Sequence, residues 1–177
     1  RVVELVGQGG AGSVFRATDL RLPGGETAIK AIMPDPLASP EARAAAQGQF
    51  QQEASILARL DHPALPKVSD YFVEHGVDCL VMDYVAGPDL RQVVDEARAA
   101  GESLRETRVM GWCEQILDAL EYLHGQEPPV IHRDIKPTNI KLVAGERIKV
   151  VDFGLVKHLD PADPRTLTTA RGIGSLP

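Results

Sequence analysis

From residue 130 to residue 140 the chain reads Val130-Ile131-His132-Arg133-Asp134-Ile135-Lys136-Pro137-Thr138-Asn139-Ile140. Charged and polar side chains crowd the middle of this stretch, and apolar residues border it on both sides. A loop that only joined two elements would not need that density. Asp134 and Asn139 stand five positions apart on a loop that Pro137 stiffens, so one can serve a hydroxyl proton and the other a metal ion. Downstream, Ile148-Lys149-Val150-Val151 reads as a strand that ends on Asp152-Phe153-Gly154, an acidic residue followed by a pivoting glycine. Singly, Asp-Phe-Gly occurs often by chance.

Upstream of the loop, Glu106 to His124 carries the longest helical period, with Val109, Cys113, Ile116, Leu120 and Leu123 at three- or four-residue steps. A shorter helical stretch, Asp89 to Ala99, comes before it. Ala86-Gly87-Pro88 reads as a linker, because it has both backbone breakers and few bulky side chains. On the far side of that linker the chain changes character. Val2 to Val6, Ser13 to Ala17, Glu26 to Met33, Ser69 to Glu74 and Cys79 to Tyr84 read as strands, with His75-Gly76 as the turn between the last two. One helical pattern, Glu41 to Leu60, interrupts them and places Phe50, Ala54, Leu57 and Leu60 on one face. The chain is therefore α+β, with a strand-rich half, one helix, a linker near residue 87 and a helical half.

The strand-rich half carries two further features. Gly7-Gln8-Gly9-Gly10-Ala11-Gly12-Ser13-Val14 has the G-x-G-x-x-G-x-V form, in which backbone N–H groups can approach phosphate oxygens with no Cβ in the way. A dinucleotide-binding turn would start a helix at the last glycine, whereas Ser13-Val14-Phe15-Arg16-Ala17 has strand character. In the third strand Lys30 lies between apolar neighbours, and an ammonium in a half-buried strand needs an anionic partner. A phosphate ligand or a helix carboxylate can supply it; Glu53, on the same side of its helix as Leu57, is the natural carboxylate.

The 177 residues include 19 Lys plus Arg and 25 Asp plus Glu, a net charge of −6, which argues against nucleic acid as the main partner. No apolar run approaches the ~20 residues of a membrane span. Cys79 and Cys113 form neither a metal spacing nor a disulfide framework, which fits a reducing cytosol, and both are expected as buried small hydrophobes. The chain opens inside a strand pattern and closes on a loop, so it is expected to be cut at both ends.

Taken in order, Gly-rich hairpin, strand Lys30, helix Glu53, His132-Arg133-Asp134 with Lys136-Pro137 and Asn139, then Asp152-Phe153-Gly154, the chain resembles a eukaryotic-like (Hanks-type) serine/threonine protein kinase. The likeness covers essentially all 177 residues, and the Glu127-Pro128-Pro129 lead-in is similar to that of bacterial members. The resemblance implies a two-lobe protein-kinase-like fold. Residues 1–85 would form an antiparallel-sheet N-lobe with one regulatory helix, and residues 86–177 an incomplete, mainly helical C-lobe cut before the A-P-E segment.

It also implies transfer of the ATP γ-phosphate to Ser/Thr hydroxyls of protein substrates with Mg²⁺, and self-association for autophosphorylation, in a cytoplasmic domain whose parent protein can be membrane-anchored. Gly7, Gly9 and Gly12 would cover the phosphates, and Lys30 would pair with phosphates and with Glu53. Asp152 and Asn139 would each hold Mg²⁺. Asp134 would accept the substrate proton while Lys136 neutralises the γ-phosphate. Met82 would be the gatekeeper, the backbone of Asp83 and Val85 would read adenine, Val14 and Ala28 would roof it, and Asp89 would reach the ribose. Leu57, Val68, His132 and Phe153 would stack to couple helix and loop. Arg133 implies control by phosphorylation at Thr166, Thr168 or Thr169; Ser175 would contact Asp134 and set substrate preference, with Gly172-Ile173 as a competing alignment.

Two positions depart from the family pattern. Ala11 stands at the loop tip where many relatives carry an aromatic cover, which predicts a looser phosphate lid. Lys141 falls where the adenine floor usually has an aliphatic side chain; its stem is expected under the base with its amine turned to solvent. The missing helices would leave an apolar face of Glu106 to His124 exposed, and the 177 residues alone are expected to be inactive. The alternative reading is a pseudokinase or nucleotide-binding scaffold, which the presence of Lys30, Glu53, Asp134, Asn139 and Asp152 disfavours. A small-molecule kinase is disfavoured by Arg133, Lys136 and Pro137.

Overall fold

The computed structural model describes residues 1–9, 12–20 and 25–152. Five strands, β1 (Val2–Gly9), β2 (Gly12–Thr18), β3 (Glu26–Ile32), β4 (Val68–Glu74) and β5 (Val77–Asp83), form one antiparallel sheet in the order β1-β2-β3-β5-β4. β1 runs three residues further than the alternation predicts and closes its hairpin with Gly9 opposite Gly12. β4 and β5 join at His75-Gly76, both with positive φ (51° and 77°), the backbone that a two-residue hairpin needs to match strand twist. β3 is interior to the sheet, so Lys30 is flanked in register by Val14 and Leu80.

Helix α1 (Pro40–Leu57) starts where Ser39 accepts a hydrogen bond from the Ala42 N–H at 3.2 Å and Pro40 occupies the first turn. It buries Phe50, Glu53, Ala54 and Leu57 and packs against β4 and β5. Leu60 lies beyond the helix end but is buried all the same, which is why it fits the helical period.

The second half opens with α2 (Leu90–Ala99), capped by a reciprocal pair in which Gln92 N–H bonds the Asp89 carboxylate and the Gln92 side chain bonds the Asp89 N–H. α3 (Glu106–His124) follows, then a 3-10 turn at Pro137–Asn139 and the hairpin β6 (Ile140–Val143) with β7 (Arg147–Val150). The buried face of α3 is Trp112, Ala119 and Leu123, with Val109, Ile116 and Leu120 at its margins. Cys113, expected inside, is exposed, whereas Cys79 is buried as expected. Trp112 takes the inner position because its indole N–H reaches the Glu146 carboxylate at 3.1 Å across the β6–β7 turn. Met110 and Leu117 stay exposed on α3.

One hydrophobic cluster spans both halves, running from Phe50, Leu57, Leu65, Val68, Leu80 and Met82 to Leu90, Trp112, Leu123, Val130, Ile148 and Val150. Each fully buried Val, Leu or Ile contributes about 1.5–3 kcal/mol. Around it, Val150 N–H bonds Ala64 O at 2.8 Å, Lys149 Nζ bonds Leu65 O at 2.8 Å and Asp61 N–H bonds the Tyr122 hydroxyl at 2.8 Å. The segment after α1 is thereby anchored on the second half, and a cleft remains in front of it.

Candidate active site

The cleft has a volume of about 510 Å³. The sheet supplies Val6, Gly7, Gln8, Gly12, Val14, Ala28 and Lys30 to its wall, and the linker side supplies Pro66, Met82, Asp83, Tyr84, Val85 and Asp89. Asp134, Lys136, Thr138, Asn139, Lys141, Val151 and Asp152 complete it. Of the residues expected to bind nucleotide or metal or to act on the phosphoryl group, all line this cleft except Gly9 and Glu53. Gly9 sits at the hairpin end opposite Gly12, and Glu53 is buried on α1, where Gln49 Nε2 donates to its Oε1 at 2.9 Å. Pro66, Tyr84 and Thr138 also line the cleft; no spacing or residue type singles them out in the sequence.

Two glycines of the first hairpin differ in what they need. Gly12 has φ +114°, and a Cβ on it would lie 2.2 Å from Ala31 O, so the fold itself demands glycine there. A Cβ on Gly7 would meet only the Val14 side chain at 4.0 Å. The tip residues Gly10 and Ala11 lie outside the described residues, as do Phe153, Thr166, Thr168, Thr169 and Ser175.

Lys30 is 3% exposed, and its ammonium is balanced by an ion pair with Asp152 Oδ1. Asp152 and Arg133 are non-glycine residues with left-handed backbone (φ 60° and 63°), a conformation that costs roughly 1–3 kcal/mol and concentrates at functional sites. Leu57, Val68 and His132 are all buried, as ordinary core packing would also have them.

The Asp134 carboxylate is held from two sides. Lys136 Nζ donates to Oδ2 at 2.8 Å, and Asn139 Nδ2 donates to the same oxygen at 2.8 Å and to the Asp134 carbonyl at 2.9 Å. Above all the Lys136 contact, then the Asn139 amide, hold this carboxyl below the usual Asp range. Val151 N–H bonds Asn139 O at 2.8 Å, so Asn139 and Asp152 sit at the two feet of one hairpin. Burial pushes the His132 imidazole down; the charges of Asp134 and Asp152 and the backbone at Val151 oppose that push in part.

The linker side differs from expectation at one residue. Lys141 Nζ, expected free in solvent, donates to Gly87 O at 3.1 Å in an exposed bond. Asp89, at the mouth, accepts from Gln92 N–H as a helix cap. Asp83 is tied to Lys67 through its own N–H at 2.9 Å and through its carboxylate at 3.0 Å. The wall thus carries the cations Lys30, Lys136 and Lys141 against the carboxylates Asp83, Asp89, Asp134 and Asp152.

Comparison with known proteins agrees with this arrangement. A family model, protein kinase domain, matches residues 1–172. The chain is 37% identical over 177 residues to serine/threonine-protein kinase pkn3 of Myxococcus xanthus, covering 97% of this chain and 30% of that protein. It is 35% identical over 156 residues to serine/threonine-protein kinase B of Synechocystis sp., covering 87% of this chain and 26% of that protein. Serine/threonine-protein kinase tousled-like 1 of Homo sapiens is 34% identical over 163 residues, 90% of this chain and 21% of that protein. The chain spans less than a third of the length of these curated relatives. Family model, relatives and cleft agree, and the chain belongs to the protein kinase domain family.

Proposed function

We propose that this protein transfers the γ-phosphate of ATP to Ser/Thr hydroxyls of protein substrates. The observation that carries the reading is the gathering of Lys30, Asp134, Lys136, Asn139 and Asp152 around one cleft. Phosphoryl transfer asks a protein for positioning and charge neutralisation rather than for covalent chemistry. The relatives' names, serine/threonine-protein kinases, support the choice of hydroxyl acceptor.

The roles are those that the family resemblance implies for these residues. Backbone amides of Gly7, Gly9 and Gly12 face the phosphates, and Lys30, with Glu53 of α1 as its regulatory carboxylate, neutralises them. Val14 and Ala28 cover the base, the backbone of Asp83 and Val85 reads its edge, and Asp89 meets the ribose. Asp134, kept ionised by Lys136 and Asn139, accepts the hydroxyl proton, and Lys136 then faces the transferring phosphoryl group. The donor set fits Mg²⁺: the Asp152 carboxylate and the Asn139 amide oxygen are hard ligands, and Mg²⁺ is commonly held by one or two carboxylates plus phosphate oxygens. When bound, Mg²⁺ would neutralise charge on the phosphates, which the Asp134 and Asp152 carboxylates would otherwise repel. Residues 1–85 act as the nucleotide-covering lobe and residues 86–177 as the catalytic lobe. Autophosphorylation between two copies, and a cytoplasmic setting, belong to the same reading. No described helix is long and apolar enough to cross a membrane.

Labelled ATP with Mg²⁺ and the full-length protein test the reading, beside the Asp134→Asn variant. Label on Ser or Thr that disappears in the variant supports it. Nucleotide binding with no transfer by the unmodified protein would sink it in favour of a scaffold.

A further inference from the structure

We infer that Lys141 sets nucleotide affinity by tying the linker to β6 at the mouth of the cleft, an inference that rests on the proposed ATP binding. Three consecutive linker residues meet β6. Lys141 Nζ donates to Gly87 O at 3.1 Å, Leu142 N–H donates to Pro88 O at 2.9 Å, and Asp89 forms a β-bridge with Lys141. The approach is close: Gly87 has φ +122°, and a Cβ on it would lie 2.3 Å from Leu142 O. Among these links only the Lys141–Gly87 bond is made by a side chain, so it alone can be removed without altering the backbone.

The bond has two consequences for the cleft. Asp83, Tyr84 and Val85, which lie just before this junction, line the same cavity, so linker position sets the width of the slot for a flat base. With its charged end drawn to Gly87 O, the partly buried Lys141 lays its four-carbon stem along the wall instead of leaving it mobile. The ligand class is a planar heteroaromatic base, read independently of its phosphates. A slot held ready in this way binds substrate and transition state alike, so it acts on KM and not on kcat.

The test uses the full-length protein with Lys141→Met, which keeps an apolar stem without the amine, and Lys141→Ala, which removes both. Thermal melts confirm that each variant is folded. Both variants are expected to weaken ATP, ADP and adenosine by a common factor of about five to ten, with kcat at saturating ATP retained. A Lys141→Met protein that binds like the unmodified protein shows that the stem suffices and overturns the tie. A loss confined to ATP and ADP assigns Lys141 to the phosphates and overturns it too. Unmodified protein that binds no ATP overturns the functional reading along with the inference, whereas intact ATP binding with unaffected variants removes the inference alone.

Discussion

Lys30 on β3 forms an ion pair with Asp152, 122 residues further along the chain, and so joins the sheet to the strand end that follows the catalytic loop. Lys30 is buried, whereas the Asp152 side chain is 37% exposed. Water can therefore take over part of Asp152's solvation if the lysine is lost, but it cannot replace the buried cation that the proposed reading sets against the phosphates. Lys30→Met removes a buried cation close to the carboxylates of the site, so it should lower the melting temperature as well as cut phosphotransfer by ~10²–10³-fold. Thermal melts beside a labelled-phosphate assay check both halves; normal transfer by the variant would exclude the role given to Lys30.

Asp134→Asn keeps the shape of the loop and removes its acceptor for a proton. The expected result is a fall in kcat of ~10²–10⁴-fold with ATP affinity within about twofold of the unmodified protein. Steady-state kinetics with a separate nucleotide-binding measurement distinguish this from a loss of binding.

The two glycines of the first hairpin should separate stability from binding. Gly12→Ala forces a Cβ against Ala31 O in a backbone that L residues rarely adopt, at a cost of about 1–3 kcal/mol. Gly7→Ala meets no such contact, so its melt should be unchanged while ATP binding weakens if phosphates approach that backbone. Denaturation curves and ATP titration of the pair read the two effects independently.

His132 predicts a pH dependence with a definite sign. Burial lowers its folded pKa below the ordinary value of 6.5, so the folded protein holds the imidazole neutral while the unfolded chain binds the proton. Stability should therefore fall as pH drops below about 6.5 and stop falling, for this group, once the pH is under the folded pKa. Asp134 works in a separate, more acidic window: its lowered pKa adds stability above about 3.8 that is lost as pH falls through the folded value. Melts between pH 7.5 and 5 should show the first slope, and His132→Phe should flatten it; an unchanged slope would falsify the assignment.

Features that depend on neighbours in sequence were legible from the chain alone. The hairpin at His75-Gly76 rests on local backbone preference, and the five-residue spacing places Asp134 and Asn139 on one loop, while the bond between them emerged only in the structure. The order of the motifs, likewise, is a property of the chain. The inner face of α3 was legible in Val109, Ile116, Leu120 and Leu123 but not at Trp112 and Cys113, because adjacent positions differ little in period. Trp112 turned inward, and Cys113 outward, since Glu146, 34 residues beyond Trp112, offers the indole an acceptor. The amine of Lys141 went to Gly87, 54 residues away, because a carbonyl in reach at the cleft mouth offers a charge-assisted bond. The sequence by itself thus determined the elements, their order and the chemical groups of the site, since these follow from propensity and residue type. Only the tertiary structure decided which groups meet across the cleft, the Lys30 ammonium with the Asp152 carboxylate and the Lys141 amine with the Gly87 carbonyl, because such pairs depend on the packing of distant segments.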